Sequence, residues 1–162
     1  MLRTLLFILI AVSSVWAQAT STAHADAFRK ESGALQKAVD DAIGEVAGTS
    51  ILQPSKATYL EEFGIVISLE VALEQPRNPF SNSALTRGAS SSLSERQRLV
   101  REKVKQFLTQ KALSLQSLSN EQSIAIAVHL FNSNPVDSPR LPGQMIFIVK
   151  KQDPTRVVMR EL

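Results

Sequence analysis

The chain has no cysteine, only two histidines, one tryptophan and one tyrosine, and its six glycines never cluster. Without cysteine there is no disulfide framework, no thiol nucleophile and no lipidated-cysteine anchor. Zinc takes three or four Cys, His or carboxylate ligands, and neither H-E-x-x-H nor a paired C-x-x-C occurs, so no metal site is expected. Dispersed glycines exclude a phosphate-cradling loop, and no cofactor is expected. G-x-S-x-G is missing too: "RGASSS" lacks the second glycine and follows no strand. Charge of one sign is equally scarce. A net charge of +3 over 162 residues is too near neutral to argue for nucleic acid as a partner.

The first residues are the most explicit. "MLRTLLFILIAVSSVWAQA" has one basic residue, Arg3, then the apolar run Leu5 to Val12, then small residues. This is the pattern of a secretory signal peptide, with cleavage after Ala17-Gln18-Ala19 and alternatives at Val15-Trp16-Ala17 and Ala23-His24-Ala25. The run is shorter than the roughly 20 apolar residues of a spanning helix, and an uncleaved anchor is the alternative. The expected divisions are a signal peptide at 1–19, a small-residue mobile segment at 20–27, and a single α+β domain at 28–162. Export to a periplasm or beyond is expected, with stability resting on apolar burial.

Periodicity sets the elements. Phe28, Leu35, Val39, Ile43 and Val46 recur at helical steps, with Gly48 as a stop. "GTSILQPSKA" reads as a loop broken at Pro54. From Phe63 to Leu73, Ile65, Ile67, Leu69, Val71 and Leu73 alternate with Val66, Ser68, Glu70 and Ala72, a strand with one apolar face and one mixed face. Residues 75–92 form a long loop with Phe80 and Leu85 as its sizeable apolar residues. Ser92 and Glu95 make a capping-box pattern for a helix running to about Leu113 or Leu115, with Leu93, Val100, Val104, Phe107, Leu108 and Leu115 on its apolar side. Ser123 to Phe131 and Gln144 to Val149 are two further strands. The last is apolar on both faces and is expected to be central or doubly covered. The tail from Lys150 can add a short strand or a helical turn. The order α-β-α-β-β predicts a two-layer α+β sandwich. A mixed sheet of three to four strands, with one right-handed parallel crossover, carries helices on one face.

"YLEEFGIVISLEV", followed by a charged helix, "IAIAVHLF" and "MIFIVKK", resembles a group of exported bacterial proteins of unknown function. These share a Tyr-Leu, a Tyr or Phe with Gly, and then an apolar strand ending in Glu-Val. The resemblance spans about Tyr59 to Asp153. It implies export and brings no catalytic residue. The order strand, helix, strand, strand is also similar to a protein-contact module of bacterial actin-like cell-division proteins.

Few side chains suggest chemistry. His129 is the only histidine inside the expected domain, and with a loop serine and an acid it would make a hydrolase triad. A packed histidine is the commoner reading of such a strand position. Glu70 lies on the mixed strand face; Glu74 would be about 13 Å further along it at ~3.3 Å per residue, too far for a glycosidase carboxylate pair. The helix at 93–113 carries six basic side chains against Glu95 and Glu102. Arg98, Arg101 and Lys105 form one stripe for an anionic membrane surface or an acidic partner, unless they are only a solvated outer face. No aromatic residue interleaves with them, against single-stranded nucleic acid. A non-enzymatic protein-binding or envelope-assembly module is therefore expected. Its contacts would come from a sheet edge, Phe80 or this helix. A small hydrolase and a peripheral membrane protein are the alternatives.

Overall fold

The structure is a computed structural model that describes residues 24–73, 93–131 and 142–162. Its order is α1 (24–44), β1 (Ser50–Leu60), β2 (Gly64–Ala72), α2 (Leu93–Lys111), a 3-10 turn (Ala112–Ser114), β3 (Ser123–Phe131), β4 (Gln144–Lys150) and β5 (Asp153–Glu161). The strands form one mixed sheet in sequence order. β2 and β3 are parallel and the other three pairs antiparallel. The α+β sandwich is as expected, but the sheet has five strands where three to four were expected.

The extra strand at the front is β1, which occupies the "SILQPSKA" stretch read as a loop. Proline lacks the N–H that a ladder needs, which is why the segment does not look like a strand. Pro54 is accommodated because β1 is an edge strand and its register shifts between Ile51 and Gln53 and again before Lys56. The displaced backbone docks on α1 instead. Ser55 N donates to Asp40 Oδ1 at 2.9 Å, and its hydroxyl donates to the Gln36 carbonyl at 2.9 Å. "YLEEFGIV" is thus a hairpin, closed at 61–63 by Phe63 N donating to the Leu60 carbonyl. The tail forms the other edge strand, β5.

Alternation decides the core. Ile65, Ile67, Leu69 and Val71 of β2, Ile124, Ile126, Val128 and Leu130 of β3, and Met145, Phe147 and Val149 of β4 are buried on one face. Leu35, Val39 and Ile43 of α1, Val46 just after it, and Val100, Val104, Phe107 and Leu108 of α2 pack into the same cluster. Both helices therefore cover one face. α1 lies toward β1, where Phe28 meets Tyr59 at a ring separation of 6.0 Å, and α2 lies over β4 and β5. Residues 24–27, placed by the sequence in a mobile segment, are helical. Nδ1 of His24 lies 3.1 Å from the Ser117 carbonyl, and Asp26 pairs with Arg29. The signal-peptide residues 1–19 lie outside the described residues.

The turn after α2 is held by side chains from both layers. The Glu31 carboxylate accepts from Gln116 N, Ser117 N and the Ser117 hydroxyl, the last at 2.7 Å. Lys151 donates to the Leu115 and Leu118 carbonyls, and Gln122 donates to Tyr59 and to the Glu61 carbonyl. The sequence predicted β4 to be central or doubly covered; it is an interior strand, paired on both sides and one in from an edge. Its second face, Ile146 and Ile148, is half-buried.

Candidate functional site

The sheet face turned away from the helices is free among the described residues. Register and alternation lay it out in rows across the strands. One row is Thr58, Val66, Ala125, Ile148 and Val158. The next is Lys56, Ser68, Ala127, Ile146 and Arg160. A third is Gln53, Glu70, His129 and Gln144. The centre is apolar: Val66, Ala127, Ile146 and Ile148 are half-buried, Ala125 lies beneath its neighbours, and Val158 is exposed. Phe131, half exposed, follows His129 on the same face of β3.

The third row brings together the two catalytic candidates. Glu70 and His129 are direct register partners on parallel strands. Neither takes part in an ion pair among the described residues, and Nε2 of His129 lies 3.4 Å from Nε2 of Gln144. A nucleophile must lie within hydrogen-bond reach of its base. Ser68 sits two residues before Glu70 on this face, opposite Ala127, and no hydrogen bond links it to His129. The row is a polar ladder on a flat surface. The loop serines of 81–92 and 133–138, with Phe80 and Glu74, lie outside the described residues. No three His, Asp or Glu side chains group as metal ligands among the described residues.

Three of the six basic side chains of α2 are paired within the chain. Arg98 binds Glu95 at 2.6 Å and Glu102 at 2.5 Å, Arg101 pairs with Glu161 of β5, and Lys103 reaches Glu45 at 2.6 Å. Gln97, buried against Met145, also donates to Glu161. Of the sequence-predicted stripe, Lys105 alone is in no ion pair. The hydrogen bond from Arg98 holds the Glu95 carboxyl below its ordinary pKa, and the two glutamates push the Arg98 guanidinium up. The sign is that of a depressed acid: the contribution is full above the unfolded pKa and lost as pH falls through the folded one. Arg98→Ala is expected to return Glu95 to the usual carboxylate range, read by NMR titration of its side-chain carboxyl. A groove of about 330 Å³ between the helices, lined by Ala42, Glu45, Lys103 and Phe107, is bridged by the Lys103–Glu45 pair.

Further free positive charge lies on the sheet. Lys56, Lys150, Arg156 and Arg160 are exposed, and none makes an ion pair or side-chain hydrogen bond among the described residues. Lys150 continues the Ile146–Ile148 side of β4, and Arg156, Val158 and Arg160 alternate on β5. Sequence reasoning missed this set because its members come from β1, β4 and β5 and share no local motif. The signal present was the doubly apolar "QMIFIV" beside "RVVMR". No described helix is long and apolar enough to cross a membrane. Compared with protein-family models, with curated proteins and with solved structures, the chain matches none of them.

Proposed function

We propose that this is an exported, non-enzymatic protein-binding module of the cell envelope, and that a partner protein docks on the open face of its sheet. The observation that carries this reading is the apolar centre formed by Val66, Ala127, Ile146, Ile148 and Val158, which no described residue outside the sheet covers. It surrounds the parallel pair β2–β3, and parallel strands normally sit in sheets covered on both faces. Contiguous apolar surface with a polar rim marks interaction sites. The N-terminal pattern of Arg3, the run Leu5 to Val12 and Ala17-Gln18-Ala19 supports export. The ion pairs of Arg98 and Arg101 speak against an anionic membrane as the ligand of α2, because exposed charge already satisfied in the chain attracts little.

The test uses crosslinking in envelope fractions with the wild-type chain and the Ile146→Glu/Ile148→Glu double variant. A protein recovered with the wild type is expected to be lost with the variant, while the melting temperature of the purified variant stays close to wild type. Equal recovery contradicts the reading. Hydrolysis of esters, glycosides or peptides by the purified protein, abolished by His129→Ala at unchanged melting temperature, would replace it with the enzyme.

A further inference from the structure

The open face carries a charge pattern as well as an apolar centre, and the two together specify an occupant. In the row Lys56, Ser68, Ala127, Ile146 and Arg160, the cations stand at the two ends and the small and apolar residues between them. Five strands at ~4.8 Å put those ends about 19 Å apart. Lys150 and Arg156 add positive charge at the end of the face where the β4–β5 turn lies. Among the described residues the acids on this face are Glu70, beside His129, and Asp153, which takes the Thr155 hydroxyl. Positive charge is thus in excess and stands on both flanks of the apolar strip.

An α-helix is about 10–12 Å across with its side chains. Laid on β2, β3 and β4, it covers Val66, Ala125, Ala127, Ile146 and Ile148 and leaves the two cation rails just outside its edges. Carboxylates on the flanks of its apolar stripe then reach Lys56 on one side and Arg160 on the other. A second copy of this sheet, face to face, would bring like charges into apposition across an apolar contact. A helix also completes the layer order that a sheet with a parallel centre favours.

Resting on the binding-module reading above, we infer that the open face receives an acidic amphipathic helix of the partner protein. Its apolar stripe packs on Val66, Ala127, Ile146 and Ile148, and its Asp or Glu flanks pair with Lys56 and Arg160. The binding is salt-sensitive, since the rails are exposed.

The experiment measures fluorescence anisotropy with the full chain and three labelled helical peptides. All carry the same Leu/Ile stripe, flanked by Glu, by Lys or by Gln. Phosphatidylglycerol vesicles are measured in parallel by co-sedimentation, and the mass of the free chain by light scattering. The Glu-flanked peptide is expected to bind, with the Lys-flanked one roughly tenfold weaker or more. Lys56→Glu/Arg160→Glu should invert that order, and Ile146→Glu/Ile148→Glu should abolish both. Binding that ignores flank charge, or fails altogether, overturns the acidic-helix inference and leaves the module reading to the crosslinking result. Vesicle uptake lost with Arg160→Glu gives the face to a membrane. A dimer dissociated by the same change gives it to a second copy. Either outcome overturns the inference.

Discussion

Gly64→Ala is expected to remove roughly 3–5 kcal/mol of folding stability, a large part of what a domain of this size has. Gly64 has φ +118, in a region that side chains on an L-residue rarely enter. A Cβ there would stand 2.2 Å from the Ser123 carbonyl oxygen and 2.8 Å from a Leu118 methyl. The carbonyl cannot retreat cheaply. Gly64 pairs with Leu60 across the hairpin and with Ser123 across the parallel ladder, and Ser123 N donates to the Phe63 carbonyl at 2.8 Å. Methylation of this one Cα therefore pushes apart the start of β2 and the start of β3. Gly33→Ala is the control, because Gly33 is exposed in α1 with no atom near the new methyl. It should stabilise by up to about 1 kcal/mol. Urea unfolding of both variants checks the pair, and equal midpoints would contradict the close approach.

The regular elements were legible because their burial is one-sided. Helical spacing from Phe28 to Val46, alternation through Ile65 to Val71, and the Ser123–Phe131 strand all report a single buried face, and periodicity encodes that directly. β1 was not legible. Its Pro54 and its bulges break the alternation, and what fixes it is a contact with Asp40 and Gln36 of α1, remote in sequence. The hairpin turn at 61–63 was hidden for a related reason: Glu61, Glu62 and Phe63 form no strong turn signature, and the requirement falls on Gly64, after the turn.

The site was legible only in part. The sequence placed Glu70 and His129 on mixed strand faces, and the register makes them neighbours. It also placed the basic charge on α2, where Glu45, Glu95, Glu102 and Glu161 pair three of the six cations, Arg98, Arg101 and Lys103. Glu45 comes from the turn after α1 and Glu161 from β5, so this neutralisation depends on tertiary structure. Lys56 and Arg160 lie on strands at opposite edges of the sheet, and only the strand order shows them as the two borders of one surface. The double apolarity of β4 points to a central or a doubly covered strand; β4 is interior to the sheet, and Ile146 and Ile148 form the centre of the face that is free among the described residues.

The second large effect comes from adjacent residues on opposite faces of β4. Val149→Lys places an ammonium in a core where Val149 is 1% exposed, among Ile124, Phe147 and the helices. A buried cation with no partner is expected to cost more than about 4 kcal/mol. Ile148→Lys moves the same group one residue back, to the open face, where its stem lies along Ala125 and Val158 and its head reaches water. The cost there is expected to be within about 1 kcal/mol. Thermal unfolding of these two variants beside the wild type tests most directly the claim that one face of this sheet builds the fold and the other is left for a partner. The account predicts a near-native melting temperature for Ile148→Lys and loss of the cooperative transition for Val149→Lys. Comparable destabilisation by both would show that the face carrying Ile148 is already covered, and would contradict it.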